Sequence, residues 1–147
     1  MQSVKEEISV KSARGKKSRA AGMRFEYRVR MHLEELGWNV SKWMNTVNFE
    51  KEGSIGKLVP AKRKFNPFNK AFTIGTGFPD LVCFRRNDTG YYEVIGVEVK
   101  KNGYLDKEEK GIFRWLLEHY IFSKILIARQ GKKRGEIEYI DFKEKYG

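Results

Sequence analysis

Apolar positions along this chain follow two periods. Phe25, Val29, His32, Leu33 and Leu36 recur at three- and four-residue spacing, which predicts an amphipathic helix over residues 18–36, capped by Ser18 and stopped by Gly37. Ile112, Phe113, Leu116, Leu117 and Tyr120 repeat that spacing and predict a second helix from about Leu105 to Tyr120 with these side chains inward. Asp106 is placed to cap it, and Glu108 and Glu109 fall in its first turn, where acids suit the helix dipole. Short runs rich in β-branched and aromatic residues predict strands at Leu81–Phe84, Tyr91–Val99, Lys124–Ala128 and Ile137–Phe142. Trp38–Phe49 reads as an earlier strand with Val40, Trp43 and Val47 as its apolar points, although its alternation is poor. Asn87-Asp88-Thr89-Gly90, Asn102-Gly103 and the basic run Gly131–Gly135 are turn signals between these elements.

Two stretches carry no such period. Residues 1–17 hold Lys11, Arg14, Lys16 and Lys17 among small residues and read as a flexible basic tail, suited to a phosphate backbone. Residues 50–76 form a long connection of weak pattern, with Gly53 and Gly56 suggesting a turn and Asn66-Pro67 and Asn69 breaking regular structure. Lys62, Arg63, Lys64 and Lys70 are interleaved there with Phe65, Phe68 and Phe72. Such a loop can pin itself to the core or can hold phosphates and stack on unpaired bases. The rest, residues 18–147, reads as a single domain.

The stretch Gly77–Lys101 brings candidate chemistry together. Folding its two strands about residues 88 and 89 sets Asp80 opposite residue 97 or 98. Glu98 and Lys100 share one strand face, about 7 Å apart, and Val97 and Val99 take the other. Two adjacent carboxylates repel and raise each other's pKa, a conflict that a divalent cation removes. Hard oxygen ligands completed by water suit Mg²⁺. A lysine beside such a site can orient or deprotonate a water, or neutralise a pentavalent phosphate.

Charge narrows the partner. The 147 residues include 30 Lys plus Arg against 19 Asp plus Glu, a net charge of +11, which points to a polyanion and above all to nucleic acid. No apolar run approaches the roughly 18 residues needed to span a bilayer, and the N-terminus lacks an apolar signal core, so a cytoplasmic setting without membrane attachment is expected. The single Cys83 sits in an apolar strand, reads as a core thiol, and leaves no partner for a disulfide or a zinc site.

Pro79-Asp80 followed by Glu98-Val99-Lys100 resembles the signature of the PD-(D/E)XK nuclease superfamily, and Gly22-Met23-Arg24-Phe25-Glu26 is similar to the first helix of its Holliday-junction-resolvase-like branch. The resemblance implies a restriction-endonuclease-like three-layer α/β sandwich, with a mixed sheet of four to five strands between helices in the order α-β-β-β-α-β. It implies Mg²⁺-dependent hydrolysis of DNA phosphodiesters, with Mn²⁺ as a substitute; branched DNA is one candidate substrate and a homodimer one candidate assembly, and both stay open. By the same resemblance Asp80, Glu98 and the Val99 carbonyl hold the metal, Lys100 handles the attacking water, and Glu26 is a metal-linked carboxylate on the first helix. Where relatives carry Gln in the later helix, this chain has Glu109, an additional site residue or merely a partner of Lys110. Arg19, Arg24, Lys62, Arg63, Lys64, Lys70 and Lys101 are the expected DNA contacts. The 50–76 connection is longer than in the resolvase-like relatives. Other repair, viral or restriction-like nucleases of the superfamily remain open at this point, as does a non-catalytic DNA-binding protein of the same fold.

Overall fold

A computed structural model describes residues 2–49, 56–61, 63–66, 71–74 and 77–147, and the side chains of 14–49, 56–61 and 77–147. In chain order the elements are α1 (Gln2–Glu35), β1 (Asn39–Lys42), β2 (Asn45–Phe49), β3 (Gly56–Pro60), β4 (Arg63–Asn66), β5 (Ala71–Ile74), β6 (Leu81–Arg86), β7 (Tyr92–Val99), α2 (Lys107–Glu118), β8 (Lys124–Gln130), β9 (Ile137–Asp141) and α3 (Phe142–Tyr146).

Five strands form a mixed central sheet in the order β1-β6-β7-β8-β9. β7 and β8 are parallel, and the remaining neighbours are antiparallel. A parallel pair needs a crossover, which α2 supplies. Side-chain alternation divides the core between the two faces of the sheet. On one face Phe25, Val29 and Leu33 of α1 pack on Leu81, Cys83, Ile95, Val97 and Ala128. On the other, Ile112, Phe113 and Leu116 of α2 pack with Ile125, Ile127, Phe122 and Phe142. The chain is thus an α/β protein with helices on either side of a mixed sheet, as the periodicities require.

The β6–β7 register pairs Leu81 with Val97, so one step further Asp80 faces Glu98, within the expected range. The turn between them is held by the Asn87 side chain, which accepts from the Thr89 and Tyr91 amides. Gly37 ends α1 at a φ of 94°, and the Gly37 and Trp38 amides donate to the Glu34 and Leu33 carbonyls. Asp106 caps α2 reciprocally with Glu109. Cys83 is fully buried, and that burial pushes its thiol up to about 12, so it stays protonated and inert as a core residue.

Five expectations need correction. The residues read as a basic tail are helical from Gln2, so Ser18 lies inside α1 and caps nothing. That segment has no proline and only Gly15 to weaken a helix, a cost of about 1 kcal/mol that does not terminate it. The strand expected over Trp38–Phe49 is two strands. β1 joins the central sheet, and after Trp43-Met44 the chain turns off into β2, which pairs with β3. Its poor alternation reflects two strands with different partners. The long connection is correspondingly not a loop throughout: β3 within it pairs with β2, and β4 pairs with β5; Asn66, read as a breaker, ends β4, while Pro67 and Asn69 lie outside the described residues. Tyr120 points outward, 92% exposed, because it takes the left-handed position that ends α2, at a φ of 57°. Phe142, read as the end of the last strand, begins α3, capped by Asp141.

Candidate functional site

Asp80, Glu98 and Lys100 converge at the end of the β6–β7 pair, on the α2 side of the sheet. The loop carrying Asp80 is fixed by its own backbone: the Trp43 amide donates to the Asp80 carbonyl (3.0 Å), and the Phe78 amide donates to the Asn45 carbonyl (2.8 Å). The Asp80 carboxylate accepts from the Val99 amide at 2.9 Å. The Lys100 amide instead donates to Ala128 on β8. A strand residue turns its N–H and C=O to the same side, so the Val99 carbonyl faces the side on which Asp80 lies.

Gly96 makes room for this arrangement. A methyl group there would lie 2.7 Å from Pro79 Cγ and 3.3 Å from the Phe122 ring. Gly96→Ala is therefore expected to cost about 1–3 kcal/mol through overpacking. It should also depress any activity that depends on Asp80, which follows Pro79 directly. Thermal melting beside an activity assay checks this, and unchanged melting would mean that Pro79 has room to yield.

Glu98 is the one buried charged residue among the described residues, 2% exposed. Its Oε2 has no hydrogen-bond partner. Burial first, then the adjacent Asp80 carboxylate, push its pKa up to about 11 against a smaller opposing pull from Lys100. At neutral pH and without a cation it is therefore a neutral acid.

Lys100 is tied to Glu109, Nζ to Oε2 at 2.8 Å. Burial works against its charge, but the Glu109 bond, with Glu98 and Asp106 nearby, outweighs it and raises the Lys100 pKa. The side chain also passes over the Phe78 ring, 6.0 Å from its centroid. Glu109 spends its other oxygen on the Asp106 amide, so the start of α2 and Lys100 are held as one unit. Sequence reading offered Lys110 as the bland partner of Glu109; the structure gives Lys100. Part of the signal was local, since Asp106-x-x-Glu109 is a capping box; that Gly103, bonded back to the Lys100 carbonyl, turns α2 towards Lys100 shows only in the fold.

Among the described residues, the other expected ones make none of these contacts. Glu26 is half-buried on α1, which packs on the opposite face of the sheet. His32, on the same helix, meets the Tyr139 hydroxyl at 2.7 Å and stacks on its ring, as a boundary histidine does. Arg19, Arg24 and Lys101 are exposed. Lys62 and Lys70, and the side chains of Arg63 and Lys64, lie outside the described residues.

The donor set suits a hard cation. Asp80 and Glu98 offer carboxylate oxygens, and the orphaned Oε2 of Glu98 is a buried acceptor that a cation would satisfy. Among the described residues no cluster of three or more His, Cys, Asp or Glu could hold a metal ion, so two carboxylates, a carbonyl and water would have to suffice. Among the same residues no helix is long and apolar enough to cross a membrane. No family model, no curated protein and no solved structure matches this chain.

Proposed function

We propose that this chain is a divalent-cation-dependent DNA endonuclease with a restriction-endonuclease-like fold, acting on phosphodiester bonds in the manner of the PD-(D/E)XK nucleases. The observation that carries the reading is the buried pair formed by Asp80 and a Glu98 whose Oε2 has no partner, with the Lys100 ammonium beside it. A solvated edge hairpin would have no reason to bury an unsatisfied carboxyl group, which costs about 1–3 kcal/mol or more. The strand order α1-β1-β6-β7-α2-β8 supports the fold assignment, since it reproduces α-β-β-β-α-β with β9 added at the edge. The net charge of +11 supports a polyanionic substrate.

Asp80, Glu98 and the Val99 carbonyl would hold Mg²⁺, or Mn²⁺ in its place. When bound, the ion would supply Lewis-acid polarisation of a phosphoryl oxygen and a more acidic water. Asp80 is oriented for this by the Val99 amide. Glu98 must give up its proton to bind a cation. Lys100, with its pKa raised by Glu109, stays an ammonium near neutrality; it donates to the attacking water or to the developing phosphorane charge and does not remove a proton. Glu109 fixes the position of that ammonium. Branched DNA is the substrate class that the similarity to the resolvase-like branch favours.

Labelled junction, flap, duplex and single-stranded DNA, each incubated with Mg²⁺, Mn²⁺ or EDTA, tests the reading. Cation-dependent product on at least one substrate is expected. Tight binding with no product in either cation would leave a DNA-binding protein and end the nuclease assignment.

A further inference from the structure

On the α1 side of the sheet a basic trough runs beside the candidate site. Arg24, Tyr27 and Arg28 stand at three- and four-residue spacing on α1 and, with Lys101 and Gln130, enclose a hollow of about 600 Å³. Arg28 and Gln130 continue into a second hollow of about 510 Å³, walled by Lys132, Lys133 and Arg134 at the tip between β8 and β9. The one acid lining either hollow, Glu136, is turned onto the Lys133 amide, to which its Oε2 lies at 3.1 Å. Six cations thus face one acid along a continuous surface. An apolar rim accompanies them, with Tyr27 63% and Met23 73% exposed.

We infer that this trough binds a single strand of nucleic acid, with phosphates on Arg28 and the Lys132–Arg134 tip and a base stacked on Tyr27. Each hollow falls in the size range of small-ligand pockets, about 300–1,000 Å³, large enough for nucleotide units. A basic groove carrying an exposed ring is the arrangement that holds unpaired strands, because a ring can stack only on a base that is not already paired and stacked. Lys101 follows Lys100 in sequence and faces the trough, so the groove meets the Asp80–Glu98 site around the end of β7. Only that last step, which places the strand on its way to the site, rests on the nuclease reading.

The test is fluorescence anisotropy on the full chain in EDTA, where no cutting interferes, with a labelled 12-nucleotide oligo(dT) and a 12-base-pair duplex as probes. Tyr27→Ala should weaken oligo(dT) binding roughly five- to a hundred-fold and leave the duplex unchanged, and Tyr27→Phe should restore it. The double variant Lys133→Ala, Arg134→Ala should reduce the slope of log affinity against log salt for oligo(dT) by up to about 1.4, at about 0.7 per phosphate contact. Both sites are exposed, and matching thermal melts will show that the variants fold. Unchanged oligo(dT) binding in both variants, or equal losses on duplex and single strand for Tyr27→Ala, would overturn the inference. A protein that shows no cleavage product yet gives the expected anisotropy pattern would lose the nuclease reading and keep the trough.

Discussion

Asp80→Asn and Glu98→Gln will each lower Mg²⁺-dependent cleavage by at least about a hundredfold while DNA affinity holds. The size follows from the several kcal/mol that a positioned cation supplies at a developing charge, with about 1.4 kcal/mol to each factor of ten. These two substitutions separate chemistry from folding. Glutamine keeps the shape of Glu98, and since Glu98 is already neutral near pH 7 without a cation, the substitution leaves the buried charge state unchanged. Asparagine at 80 keeps an oxygen for the Val99 amide bond. Removing the Asp80 charge takes the net charge from +11 to +12, which does not weaken attraction to phosphate. Lys100→Ala provides the third arm, with a loss of about a hundredfold in single-turnover rate at saturating protein and little change in affinity. Cleavage at the wild-type rate by either acid variant would remove the cation site from the mechanism. A full single-turnover rate in Lys100→Ala would remove the lysine.

What could be read in the sequence was local in origin. The β6–β7 register follows from a short turn and an apolar run on each side, so Asp80 and Glu98 could be set opposite one another from residues 81–99 alone. Asp106, Gly37 and Gly103 announce their positions by chemistry that acts within four residues. The misses depend on distant partners. Whether Trp38–Phe49 is one strand or two is decided by β6 and β3, each pulling its own half. The β4–β5 hairpin is hidden because each strand is only four residues long, Arg63–Asn66 and Ala71–Ile74, too short to show a period of two. The Lys100–Glu109 pair joins a strand end to a helix start, and sequence proximity pointed to Lys110 instead. The position of Glu26 illustrates the limit of spacing arguments. A helical wheel places it at the margin of a buried face but does not give which face of the sheet that helix covers, which is the one opposite α2. The convergence of Asp80, Glu98 and Lys100 is therefore legible from sequence, and the way Lys100 is held is not.

In EDTA, the stability of this protein will fall as pH rises from about 5 to 8, by up to about 1.4 kcal/mol per pH unit, and Glu98→Gln will abolish that slope. Glu98 keeps its proton in the folded chain up to about pH 11, whereas an unfolded glutamate loses it near 4.3. Between those values the folded state binds one more proton than the unfolded state, so each unit of pH favours unfolding. The stability due to this group is complete below about pH 4 and is lost progressively as pH climbs towards the folded value. Its neighbours titrate elsewhere. The lowered pKa of Asp106 acts in the acid range, below the window. The raised Lys100, Cys83 and Tyr139 act above it, where all three ordinarily titrate from about 8.5 upwards. Millimolar Mg²⁺ should flatten the wild-type slope as well, because an ion bound between Asp80 and Glu98 stabilises the ionised form that the bare fold rejects. Urea unfolding at pH 5, 6, 7 and 8, with and without Mg²⁺, measures all of this on two proteins. A flat wild-type profile in EDTA, or an equal slope in Glu98→Gln, would show that Glu98 is ionised in the fold, and the unpartnered neutral acid at the heart of the candidate site would have to be given up.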